Sequence, residues 1–389
     1  MATRPATGTA CAGPNGRWAR VVLAAICVLF VVWSAGFIRV SSVPLEGGRR
    51  AFCLFDDSMI SMRYAQNLVR GRGLVWNAGE AVEGYSNPLM VAVMAVFLAI
   101  LPAAAAVLAV QVLGVVTMLA VALMGAQLYR RIARPDWSCP CWVPAAAILG
   151  VYVLSFWSLL GMETGLVALL TVLGAQTALS NDEPSRKSLR LGALTALLYL
   201  CRPDAVLVGA AFGALTVSRW GAEGKKPVGW RLHTLLLFAL PVAATVAGHL
   251  AFRVAYYGEI VPNTAILKLS GVPWHIRLRD GATFVGPFLE GLIPLLGMAA
   301  YGVAHTPSRS RMLLAAPMMV LAAYQVSVGG EPWAYWRIMA PAMPLLMVLA
   351  CDGAMLLAQR ALPSPSIARA TLLASAGLIW ALAVHNRPF

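Results

Sequence analysis

No residue between Pro102 and Tyr129 carries a charge, and the run is long enough for a helix to cross about 30 Å of hydrocarbon. Backbone N–H and C=O groups find no water partner in lipid, so a chain built from such runs is confined to helices. Further runs are Val21 to Val40, Trp142 to Leu160, Leu166 to Leu179, Leu189 to Leu200, Ala205 to Val217, Leu232 to Phe252, Phe284 to Val303, Met312 to Val328, Ile338 to Leu357 and Ala370 to Val384. With 60% hydrophobic and 12% charged residues, and a mean hydropathy of +0.74, the composition lies outside soluble usage. The expected fold is all-α, a polytopic transmembrane helical bundle. Arg4, Arg17 and Arg20 precede a first run too long for a signal-peptide core and lacking a convincing cleavage site, so it reads as a retained span.

Charge orients the spans. Residues 1–20 are set in the cytoplasm and Leu89 to Leu101 is treated as an interfacial or re-entrant helix. The clusters "RRIAR", "RKSLR", "RWGAEGKKPVGWR", "SRSR" and the Arg360/Arg369 loop then all fall inside. This arrangement supports about eleven spans across a membrane domain covering 21–389, with outer loops at 41–88 and 253–283. The net charge of +14 is then loop asymmetry rather than a nucleic-acid footprint. The seven cysteines include Cys139 and Cys141 as C-P-C, but without C-x-x-C or a histidine cluster they indicate neither a zinc site nor a disulfide scaffold.

One long polar stretch breaks the pattern: "FDDSMISMRYAQNLVRGRGLVWNAGEAVEGYSNPL", Phe55 to Leu89. Asp56 or Asp57 is suited to cap a short interfacial helix running to about Val69, with Gly71 or Gly73 ending it. On that helix Asp56, Ile60, Arg63 and Asn67 share a face, which lets Arg63 pair with Asp56 or aim at an anion beyond it. Glu80, Glu83, Tyr85, Ser86 and Asn87 follow in a surface loop, and these are groups that hydrogen-bond sugars. Charges retained beside apolar spans on the outer face, among them Glu163, Arg202/Asp204 and Glu331/Arg337, are functional candidates by default.

Five segments in order carry a family resemblance: "DDSMISMRYAQNLVRGRGLVWNAGEAVEGYSNPL" from Asp56, "GMETGLVALL" from Gly161, "CRPDAVL" from Cys201, "GEIVPNTAILKLSG" from Gly258 and "GGEPWAYWRIMAPAMPLL" from Gly329. Together they resemble the membrane part of GT-C glycosyltransferases, in the group that holds the terminal β-1,2-arabinofuranosyltransferases. "SNPL" stands where that group's pattern reads "THPL", so the resemblance implies the chemistry and leaves the sugar open. It implies an extracytoplasmic site in the plasma (inner) membrane, a polyprenyl-phosphate sugar donor and a cell-envelope glycan, lipid or protein acceptor. It also implies a further extracytoplasmic domain, so a partner protein supplying that part is expected.

Transfer from such a donor needs a base for the acceptor hydroxyl and cations for the departing phosphate. Asp56 is assigned as base of an inverting reaction, with Asp57 orienting it or binding acceptor. The donor phosphate is assigned to Arg63, Lys268 and Arg337, with Arg202 as a further candidate; "RPD" also reads as a helix break served by Asp204. Sugar and acceptor contacts fall to Glu83, Tyr85, Asn87, Glu163 and Asn263, although Glu163 at the start of a span equally suits a helix dipole. Trp333, Tyr335 and Trp336 fit either a donor cradle or an ordinary aromatic belt. No metal site or cofactor is indicated, although a divalent metal beside Asp56/Asp57 is compatible with the pattern. Two other classes fit the build: a transporter or flippase of a lipid-linked sugar, which should show repeats and interrupted helices, and a non-catalytic accessory membrane protein.

Overall fold

The computed structural model describes residues 14–134, 138–222, 227–260, 272–333 and 335–361. Helix α1 (Pro14–Val40) leads into a two-stranded antiparallel hairpin, β1 (Val43–Pro44) and β2 (Arg50–Ala51). Arg50 fastens the hairpin to the end of α1, donating from Nε to Ser42 Oγ at 2.6 Å and from Nη2 to the Arg39 carbonyl at 2.8 Å. Helix α2 (Asp56–Val69) has the extent expected from its sequence, and Gly71 beyond it takes a left-handed φ of 70°. Then come α3 (Pro88–Ile100), α4 (Ala103–Ile132), α5 (Trp142–Leu149), α6 (Tyr152–Leu159), α7 (Thr164–Ala178) and α8 (Pro184–Cys201). A 3-10 turn at Pro203–Ala205 opens α9 (Val206–Ala222), followed by α10 (Val228–Tyr257), α11 (Trp274–Gly291), α12 (Ile293–His305), α13 (Arg309–Val328) and α14 (Met343–Ala361).

Helix α14 is the centre of the bundle: its apolar residues are almost all buried, and it packs on α12, α13, α4 and α5. By contrast α1 and α10 ride on the perimeter with most of their apolar surface outward, as helices facing lipid do. Helix pairs approach closely where side chains are smallest, because in lipid association rests on van der Waals contact rather than on water exclusion. A Cβ at Gly353 of α14 would overlap the Met298 carbonyl of α12, and one at Gly192 of α8 would overlap the Phe238 carbonyl of α10. Among the described residues the fold is thus an all-α membrane architecture with a single two-stranded hairpin.

The count of eleven spans does not carry over. Five helical stretches are long and apolar enough to cross: Arg17–Val40, Ala103–Ile132, Val228–Tyr257, Arg309–Val328 and Ala340–Ala361. The total reaches seven if each of two bent pairs is one span, α5 with α6 at 61° and α11 with α12 at 80°. The expectation counted every apolar run except Leu89 to Leu101, yet one it counted, 166–179, is α7 with 15 residues, below the roughly 20 that a straight crossing requires. Helix also occupies both ends of the stretch 253–283 that was read as a loop, since α10 runs to Tyr257 and α11 starts at Trp274. The last expected span, 370–384, lies outside the described residues.

Candidate active site

Four of the five sequence segments meet at one end of the bundle, at the starts of α2, α3, α7 and α9 and in the loop before α14. Their side chains join across long sequence separations. Arg337 donates from Nη1 to Asp57 Oδ2 and from Nε to Glu331 Oε2 at 2.7 Å. Its guanidinium lies 5.9 Å from the Trp157 ring, a cation–π distance. Glu163 sits one position before α7 but does not cap it. Its Oε2 accepts from Asn87 Nδ2 and its Oε1 from Arg202 Nη1, both at 2.8 Å. Arg202 also pairs with Asp204 through Nε at 3.2 Å, and Ser61 of α2 donates to Asn87 Oδ1 at 2.8 Å.

Buried charges persist only when paired, and each charge here has a partner of opposite sign, with Glu331 Oε1 left without a hydrogen bond. Burial alone would push the Glu163 carboxyl up; Arg202, Arg337 and the Asn87 amide overcome that and hold it below the usual range. Burial works against the Arg202 cation too, yet Asp204 and Glu163 raise its pKa above the ordinary value. Both groups therefore stay ionised at neutral pH.

The backbone that delivers Arg337 is unusual. Tyr335 and Trp336 adopt φ of 65° and 39°, a region that side chains with a Cβ rarely enter. Neighbours hold them there: Trp157 Nε1 donates to the Tyr335 carbonyl at 3.0 Å, and Trp336 Nε1 to the Phe284 carbonyl at 2.8 Å. Phe55, just before the aspartate pair, lies edge-on between Trp157 and Trp333 with ring centroids 4.9 and 5.0 Å away.

A second buried group ties the loop before α3 to α10. Arg253 Nε donates to Glu83 Oε1 at 3.0 Å, and His249 Nδ1 lies 3.0 Å from the Tyr199 hydroxyl. Burial raises the Glu83 carboxyl, with Arg253 pulling it partly back, and burial pushes the Tyr85 hydroxyl up to about 12. Tyr257 donates to the Leu74 carbonyl at 2.7 Å and lies 3.3 Å from the Tyr85 hydroxyl.

The sequence candidates thus separate. Asp57, Arg337, Arg202, Glu163 and Asn87 come together in one network. Asp56 stands beside it, exposed, with its Oδ1 accepting from the Asp57 N–H at 2.7 Å. Arg63 does not pair with Asp56; its Nε donates to the Trp76 carbonyl at 3.3 Å. Glu83 and Tyr85 belong to the second group, and both are buried. Lys268 and Asn263 lie outside the described residues. The sequence named Glu331 only as a retained outer charge, placed Arg253 only as the edge of a loop, and gave Trp157 no role. The signal for Arg253 was a cation at the end of an apolar run, and for Glu331 a carboxylate six positions before Arg337. Among the described residues no group of three His, Cys, Asp or Glu side chains is placed to hold a metal ion.

In an alignment of 379 positions covering 82% of this chain, the sequence is 28% identical to the terminal beta-(1->2)-arabinofuranosyltransferase of Corynebacterium glutamicum. This chain is similar to terminal arabinofuranosyltransferases. The arabinofuranosyltransferase of Mycobacterium tuberculosis is likewise 28% identical over 292 positions, 68% of this chain. The chain spans about half the length of these curated relatives, 49% and 42%. No protein-family model and no solved structure matches it.

Proposed function

We propose that this chain is the membrane part of a glycosyltransferase that moves a sugar from a polyprenyl-phosphate donor to a cell-envelope acceptor, on the extracytoplasmic side and with inversion. The observation that carries the reading is the Asp57–Arg337 pair with Asp56 beside it, in a chain similar to arabinofuranosyltransferases. Two adjacent carboxylates in different settings divide the work. Asp57, held by a buried guanidinium, is fixed in direction, while exposed Asp56 is open to an incoming hydroxyl and serves as general base. Arg202 and Asn87 hold Glu163, and that frame sets the floor of the site. The departing phosphate falls to Arg63 and Lys268, with Nη2 of Arg337, whose Nε and Nη1 are already held by Glu331 and Asp57.

The test is amide replacement with donor turnover as readout. Asp56 is exposed and, contrary to expectation, neither aspartate side chain caps α2, whose cap position is Phe55, so Asp56→Asn keeps the fold and removes the base. It should lower release of polyprenyl phosphate from labelled donor by about a hundredfold or more. Wild-type turnover in that variant would end the assignment of Asp56.

A second reading, passage of a lipid-linked sugar, is favoured by one observation: helices broken at 61° and 80°, one in each half of the chain. The same assay separates the two, because transport leaves the donor intact.

A further inference from the structure

The sugar-bonding groups expected in the loop before α3 are not accessible. Glu83, Tyr85 and Asn87 are each more than nine-tenths buried and are occupied by Arg253, Tyr257 and Glu163. The same loop instead leaves a cavity of about 310 Å³ against α2, lined by Ile60, Tyr64, Trp76, Asn77, Glu80 and Val82. From this geometry we infer an acceptor subsite: the cleft between α2 and residues 76–84 binds one or two sugar residues of a glycan acceptor, just behind the residue that receives the transferred sugar. This rests on the glycosyltransferase reading above and names a binding site for it.

Three features select a carbohydrate. The first is the walls, which are aromatic with a polar edge. Trp76 is 42% exposed, and the buried Tyr64 ring backs it 6.3 Å away at 51°. Apolar C–H faces of a sugar stack on the Trp76 ring, while Asn77 and Glu80, joined at 3.0 Å, keep Asn77 Oδ1 and Glu80 Oε1 for hydroxyl groups.

The second feature is rigidity without a ligand. Asn67 Nδ2 donates to the Val75 and Trp76 carbonyls at 2.8 and 2.9 Å, and Arg63 Nε also reaches the latter. The Tyr64 hydroxyl donates to the Val82 carbonyl and accepts from the Gly84 N–H, both at 2.8 Å. A cleft held open in this way lowers the ordering cost of binding.

Position is the third feature. Asp56, Ile60 and Tyr64 recur at intervals of four on α2 and share one face, so the cleft begins one helical turn from Asp56. A glycan lying along that face brings its end to the proposed base.

The experiment reads binding without donor. The full chain in detergent is offered methyl disaccharides built from arabinofuranose, galactofuranose, mannopyranose or glucopyranose, and contact is followed by saturation-transfer NMR. At least one should bind, and Trp76→Ala should weaken it about tenfold or more, the scale of losing one aromatic face. Trp76→Phe should recover most of the affinity, and Glu80→Gln should fall between. The Trp76 substitutions are safe for folding because its carbonyl, not its indole, holds the loop. Absence of contact in the wild type, or equal binding by Trp76→Ala, would overturn the subsite. Failure of Asp56→Asn to stop transfer, with Trp76-dependent binding intact, would instead sink the catalytic assignment and leave the cleft standing.

Discussion

Arg337 shows how burial changes the meaning of a residue. From sequence it is a cation aimed at phosphate; in the structure it holds Asp57 and Glu331, whose side chains differ widely in exposure. Removing one partner of a buried pair leaves the other unmatched, so Arg337→Gln should destabilise the protein by about 3–5 kcal/mol, read as a lower melting temperature in detergent. Asp57→Asn should cost less, because its side chain is about one-third exposed and water can replace the lost contact. Equal melting temperatures for wild type and Arg337→Gln would mean that Glu331 does not depend on this cation. Glu163 gives a pH prediction. Its folded pKa is depressed, so its contribution is complete above the ordinary glutamate value of about 4.3 and is lost as pH falls from there through the folded value. The stability gap between wild type and Glu163→Gln should therefore narrow on acidification below about pH 4. A gap that stays constant would argue against an ionised Glu163.

At the scale of elements, close approach decides more than hydropathy. Gly353→Val would drive a branched side chain into the Met298 carbonyl, backbone that cannot swing aside, so α12 and α14 must separate. The expected cost exceeds about 2 kcal/mol, and poor accumulation in membranes beside a well-behaved Gly248→Ala would show it. Gly248 has open space around its Cα. The same scale explains what was legible in the sequence. Helix α2 could be bounded because "FDDS" and "RGRG" mark its ends with local chemistry. The break between α5 and α6 could not, since Trp142 to Leu160 is evenly apolar and the bend falls at Gly150 and Val151 without a charge or proline to mark it. Site membership was likewise half visible. Charges against an apolar background named Asp57, Glu163, Arg202 and Arg337, but nothing local says that Glu163 meets Arg202 rather than its own helix start, because that choice is made by packing between α7 and α8.

For the whole molecule, α8 acts as a ruler. It runs from Pro184, beside the exposed Arg190–Asp182 pair, to Cys201 next to the site, about 27 Å for its 18 residues. Arg190 lies about 16 Å along that axis from Cys201, on the side away from the site. If the site faces outward, Asn77→Cys should react in intact cells with a membrane-impermeant maleimide after native thiols are blocked by replacement with serine, and Arg190→Cys should react only after permeabilisation. The reverse pattern would turn the orientation over and carry the donor assignment with it.

The bond between Asp57 and Arg337 spans 280 positions of chain. A ribosome adding about 5–20 residues per second needs roughly 15–55 s to cover that distance, so α2 waits well before its counterion emerges. Throughout that interval the nascent protein has an aspartate pair without the cation that fixes Asp57. Any chain released early, or any failure to seat α14, leaves the proposed site unassembled.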